Sequence, residues 1–111
     1  MPETVVESRI LSPTVIGISS AVIHTTPANH RVVMKQLIIC NTNGVDAWFS
    51  LAIDGAASTP ANCVFFQMTV GAYDTLILDT QIVLEVTDTI EAMADRTGVN
   101  ITIVGWDHTL S

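Results

Sequence analysis

Three histidines, His24, His30 and His108, are the obvious candidates for metal binding or acid–base chemistry. His24 and His30 stand six residues apart across a proline-containing turn, and no H-x-x-x-H or H-E-x-x-H grouping occurs. A third ligand, His108 or Asp107, could be supplied only by folding, whereas zinc sites normally show tighter paired spacing. Loop or surface histidines and no metal are therefore expected. No G-x-S-x-G turn presents a serine nucleophile, and nothing resembles a P-loop or a dinucleotide-binding glycine motif. The chain reads as a non-enzyme without a cofactor.

Carboxylates are the next candidates. Asp74, Asp79, Glu85, Asp88, Glu91 and Asp95 place six acids within 22 residues. Glycoside hydrolysis needs two such groups about 5–10 Å apart, and carboxylates at strand ends can bind Ca²⁺. The alternating Asp/Asn pattern of a calcium loop is absent, however, and a solvated acidic edge that discourages strand aggregation is the expectation. Among the aromatics, alternation sets Trp48 on the face opposite Phe49, and Trp106 off the face of Val99, Ile101 and Ile103. With Tyr73, these could form a sugar-stacking platform or a protein interface.

Composition bounds the elements that must position these residues. The 111 residues carry 15 charges, eleven acidic and four basic, where about 28 are usual. The net charge of −7 and the scattered Arg9, Arg31, Lys35 and Arg96 argue against nucleic acid as a partner. The 49% hydrophobic content argues against disorder, and polar interruptions argue against a membrane-spanning run. So weakly charged a surface points to a face covered by another protein. The first residues lack the basic and apolar regions of a signal peptide, so synthesis in a cytoplasm is expected, with Cys40 and Cys63 as free thiols.

Thirteen Val, twelve Ile and fourteen Thr make 35% of the chain β-branched, which favours strands. Alternation is clean in Val45–Ile53 and Val99–Ile103, while Arg31–Asn41 runs apolar through Leu37-Ile38-Ile39-Cys40, as a strand buried on both faces would. Further strands are expected near Thr4–Leu11, Thr14–Thr25, Cys63–Thr69, Thr75–Leu78, Ile82–Val86 and Thr89–Ala94. Thr26-Pro27-Ala28-Asn29 sets a turn through proline's fixed φ and the tolerance of Asn for the left-handed region. Asn43-Gly44 between two strands is the strongest short hairpin signal. The expected architecture is all-β: a single antiparallel β-sandwich of about eight strands, jelly-roll-like or immunoglobulin-like. Residues 1–20 form an N-terminal arm or edge strand, and 21–111 the sandwich domain.

The stretch from His24-Thr25-Thr26-Pro27-Ala28-Asn29-His30 to Ile39-Cys40-Asn41-Thr42 resembles one in small virion proteins of tailed bacteriophages. So do Val70-Gly71-Ala72-Tyr73-Asp74-Thr75, Thr87-Asp88-Thr89-Ile90 and Gly98–Gly105. Asn29-His30 stands where that group usually has Gly-Lys, Tyr73-Asp74 where Gly-Glu is usual, and Thr87 replaces a glycine. The resemblance implies turns fixed by Pro27, Asn41 and Asp88, carries over no catalytic residue, and implies a head-decoration, neck or tail-associated role. Expected partners are a major capsid protein or another virion protein and further copies of the chain, with a trimer favoured, no nucleic acid and no membrane. The expected location is the virion. The alternative is a receptor- or carbohydrate-binding module of a tail or fibre. Candidate interface residues are Trp48, Tyr73 and Trp106, with Val5, Val6, Ile10 and Leu11 on a segment suited to strand addition.

Overall fold

The structure, a computed structural model, describes residues 4–109. Side chains are described from Arg9 onward. Eight strands form: β1 (Thr4–Ile16), β2 (Ala21–Thr25), β3 (His30–Asn41), β4 (Ala47–Ile53), β5 (Cys63–Val70), β6 (Thr75–Leu84), β7 (Thr89–Ala94) and β8 (Val99–Thr109). They make two four-stranded sheets, A in the order β1-β8-β3-β6 and B in the order β2-β7-β4-β5. The pairs β1·β8, β2·β7, β3·β6 and β4·β5 are nested and alternate between sheets, all antiparallel. A single long hairpin rolled up on itself gives this pattern. The architecture is therefore a β-sandwich, and of the two expected types it is the jelly roll.

The core lies between the sheets and is built by alternation. Val99, Ile101 and Ile103 of β8 face Ala47, Phe49 and Leu51 of β4, all essentially inaccessible. Phe65 of β5 packs on Phe49 with ring centroids 6.3 Å apart, tilted at 48°. In the Val45–Ile53 stretch the inward face holds through Leu51, but Val45 precedes the strand and is exposed.

Four details differ from the sequence reading. The first break falls at Gly17–Ser20 instead of around Pro13, because Pro13 sits on edge strand β1 at a register shift, where a missing N–H costs no ladder bond. Thr75–Leu78 and Ile82–Val86 fuse into the single strand β6. The Asn43-Gly44 turn connects two sheets and is not a paired hairpin; neither residue adopts positive φ. Finally, β3 is buried on one face only, since a two-layer sandwich leaves every sheet one outer side. Leu37 and Ile39 are buried, while Ile38 and Cys40 point outward and are half-buried.

A bulge interrupts β3. Met34 pairs with Gly105 of β8 and Gln36 with Val104, so Lys35 is an extra residue. Before it the buried residues are Val32 and Met34; after it they are Leu37, Ile39 and Asn41. The one-residue insertion moves the apolar phase from even to odd positions. The bulge presses the β3 backbone onto β8, and a Cβ at Gly105 would collide with the Val33 carbonyl oxygen.

Turns at both ends are held by side chains. At one end the buried Asn41 donates from Nδ2 to the carbonyls of Val45 (2.9 Å), Val70 (3.1 Å) and Gly71 (3.1 Å). Its Oδ1 accepts from the backbone N and Nδ2 of Asn43, both at 2.9 Å. Asn43 Nδ2 in turn reaches the Thr97 carbonyl (2.7 Å), and Thr42 bonds to Gly98, whose φ of +87° demands glycine. At the other end Asn29 adopts φ 66°, as the Pro27 turn requires, and Asp88 receives the backbone N of Glu85 (2.8 Å). Asn41→Ala would strand the buried Val70 carbonyl and remove the donor from the part-buried Val45 and Gly71 carbonyls, at roughly 1–3 kcal/mol for a buried unsatisfied group. We expect a lower denaturation midpoint with unchanged m-value, and an equal or larger loss for Asn41→Asp, which sets a carboxylate against those carbonyls.

Candidate functional site

The outer face of sheet A gathers the surface features. Val83 of β6, Val33 of β3 and Trp106 of β8 lie side by side across three strands. Val83 is 48% and Trp106 36% exposed. Because the β3 bulge turns both Lys35 and Gln36 outward, a concavity of about 660 Å³ opens beside this row, lined by Lys35, Gln36, Asp79, Gln81, Val104 and Trp106. Gln36 Nε2 donates to Asp79 Oδ1 (3.2 Å) across its floor. This is an indole beside an amide, an ammonium and a carboxylate, suited to contact with another surface and lacking any paired acid–base arrangement.

The other aromatic candidates lie elsewhere. Trp48 points outward from sheet B, half-buried, beside Thr69 of β5, and its backbone N donates to Asp95 Oδ1 (3.0 Å). Tyr73 stands 78% exposed at the tip of the β5–β6 turn, with φ 54°. Trp48 and Trp106 thus sit on opposite outer faces, and no common stacking platform unites them. Alternation placed each off its core face; it could not say that those faces belong to different sheets. Ile10 and Leu11 pack partly against the core from β1. The backbones of Val5 and Val6 belong to β1, opposite His108 and Asp107, while their side chains lie outside the described residues.

The acids serve the backbone. Asp74 accepts from the N of Thr75 (2.8 Å), Asp95 from that of Trp48, and Asp88 from that of Glu85. Glu91 accepts from Ser20 Oγ (3.0 Å), and Glu85 pairs with exposed Arg31 at 3.1 Å. Asp54, outside the acidic run in sequence, is brought next to Asp88. The backbone hydrogen bond from Thr89 first, and Asp88 second, pull the Asp54 carboxyl below its ordinary range. The hydrogen bond to Asp54 pushes Asp88 up. Only the β4–β5 and β6–β7 connections meeting at one end create this pair. Cys40 and Cys63 are free thiols, the latter donating to the Ala57 carbonyl (3.3 Å) and pushed up in pKa by desolvation.

The histidines converge more than their spacing suggests. His30 Nδ1 lies 2.7 Å from Asp107 Oδ1, joining β3 to β8. His24, on β2 of the opposite sheet, has a buried Nε2 without a hydrogen-bond partner among the described residues. Burial lowers its pKa from 6.5, partly offset by the Asp107 charge. Among the described residues no group of three His, Cys, Asp or Glu is placed to hold a metal ion.

No family model matches this chain, and no curated protein matches it. Solved structures do. A chain of infectious bursal disease virus, Gx strain, superposes with a TM-score of 0.58 at 9% identity over 99% of this chain and 33% of its own length. A chain of the T13 particle of the same virus gives 0.59 at 9% identity, over 97% and 31%. A subunit of the disulfide-linked pili of Bacillus endospore appendages gives 0.53 at 12% identity, over 100% and 93%. The likeness is one of fold. The chain spans about a third of the viral chains it matches, and nearly the whole of the pilus subunit.

The histidine end makes stability pH-dependent in a defined direction. His24 has a folded pKa below its unfolded 6.5, so between the two values the unfolded chain binds more protons. Its contribution is complete above pH 6.5 and is lost as pH falls below it. Thermal melts should show Tm falling from pH 7 to pH 5, with a shallower slope in His24→Gln.

Proposed function

We propose that the protein is a structural subunit of a virion, acting by binding and not by catalysis. The observation that carries this reading is a whole-chain jelly roll like those of viral particle chains whose apolar excess lies on outer faces and edges. Val15, Val22, Val64, Phe66, Ile77 and Val83 are all exposed large hydrophobics on strands that border or cap the two sheets. Such surface on a weakly charged protein is suited to being covered.

The finer assignment is decoration or cementing of a tailed-phage capsid exterior. A self-associated ring, a trimer being the simplest that spans a three-fold junction, would bind the major capsid protein and bridge its subunits. At about 25 cal/mol per Å², roughly 1,000 Å² of added apolar burial gives ~25 kcal/mol before association costs, a useful reserve against internal pressure. A tail-tip glycan-binding role draws less support, since Trp48 and Trp106 face opposite ways and form no common platform. A second reading, a subunit of a fibrous appendage, is favoured by the near-complete mutual coverage with the spore pilus subunit.

Mass spectrometry and immunogold labelling of purified particles test the proposal. Stoichiometric presence on heads is expected. Presence only on tails would defeat the decoration role, absence from particles would defeat the virion role, and filaments formed by the pure protein would favour the appendage.

A further inference from the structure

Each sheet leaves two strands with one unpaired side: β1 and β6 in sheet A, β2 and β5 in sheet B. Exposed edges are normally blunted by brevity, proline, lysine or bulges. Strand β2 has only five residues, and β5 is interrupted at Gln67, with φ 48°. Strand β1 carries Pro13 and two register shifts beyond Arg9, but its first half, Thr4–Arg9, pairs with β8 in unbroken register. Strand β6 carries one register shift against β3, where Thr80 and Gln81 lie across from Lys35, and no other such protection. Its ten residues, TLILDTQIVL, contain no proline, glycine or lysine, and exposed and half-buried positions alternate along it without a break.

The β6 edge and the first half of β1 carry complementary charges. Arg9 of β1 pairs with Val104 of β8; Val104 pairs with Gln36 of β3, and Gln36 with Asp79 of β6. One row across sheet A thus begins with an exposed cation and ends with an exposed anion. Sheet A has an even number of antiparallel strands, so β1 and β6 run in opposite directions. A second copy added in the same orientation meets β6 antiparallel with its own β1. Setting Asp79 opposite Arg9 of that copy puts Gln81 opposite Glu7, Ile82 opposite Val6 and Val83 opposite Val5. Apolar positions thus meet apolar ones at Ile82 and Val83, beside a single opposite-charge pair.

Resting on the assembly reading above, we propose that sheet A continues from one copy to the next through antiparallel pairing of β6 with the Thr4–Arg9 half of β1, keyed by Asp79 and Arg9. The occupant of each edge is a second copy of this chain. The contact is heterologous: different surfaces meet, so it closes into a ring or runs on as a fibre according to the rotation between copies. Main-chain hydrogen bonds supply adhesion, and the charged pair fixes register.

Charge exchange tests this. Arg9→Glu sets glutamate against Asp79, and Asp79→Arg sets arginine against Arg9, so each variant alone should self-associate about tenfold more weakly in sedimentation velocity. Mixed one to one, each variant's altered edge meets its complement, so association should strengthen over either variant alone, fully in a fibre or even-membered ring and at two contacts of three in a trimer. The double variant should assemble as well. Both side chains are exposed, so circular-dichroism melts should match wild type and report any folding defect separately. Assembly insensitive to Arg9→Glu, or a double variant that fails to recover, would overturn the proposal; sensitivity to Asp79→Arg alone would indicate two-fold β6–β6 pairing instead. If wild type assembles on particles while the charge variants behave normally, this pairing fails and the virion role stands. A wild-type chain monomeric at high concentration overturns the pairing whatever the particle result.

Discussion

A single buried amide organises one end of this molecule. A rolled hairpin must pass the chain repeatedly between two sheets, and every passage exposes backbone groups that no ladder satisfies. Asn41 resolves three passages at once. It sits at the end of β3, where the core gives way to loops, and its side chain takes up carbonyls from the β3–β4 and β5–β6 connections. Through Asn43 the β7–β8 connection is tied in as well. Only a group with two donors and an acceptor, held rigidly in a dry site, can do this. The strands could pair without it, but the order in which they cross from sheet to sheet would lose its fastening.

The β3 bulge is the second constraint, and it links core to surface. One extra residue at Lys35 reverses the phase of the strand, so that Met34 and Leu37 both face inward. The same insertion sends Lys35 and Gln36 together to the outside and drives the backbone onto Gly105. The concavity beside Trp106 is therefore a by-product of how the core is kept in register. Glycine at 105 is dictated by backbone proximity, not by a turn.

Scarce charge takes on a clearer meaning in the fold. Asp46, Asp54, Asp74, Asp88 and Asp95 are occupied in holding backbone N–H groups, which leaves few acids to solvate the sheet faces. What covers those faces is Thr, Val and Ile with one Trp on each side.

The sequence by itself determined the class of structure. β-Branched residues at 35%, alternation and correctly placed Pro27, Asn29 and Asp88 left a β-sandwich as the consistent outcome, because these are local properties of backbone and side chain. It also placed Trp48 and Trp106 away from their core faces. Tertiary structure alone decided what required distant partners: jelly roll over immunoglobulin order, Asn43-Gly44 as a crossing and not a hairpin, and the phase change at Lys35. The meeting of Asp54 with Asp88, and of His24 and His30 around Asp107, likewise depends on which strands become neighbours. The Arg9–Asp79 row is the plainest case. Seventy residues separate its ends in the chain, and only the order β1-β8-β3-β6 puts a cation at one edge and an anion at the other. Periodicity fixes which way a side chain points; topology fixes what it points toward.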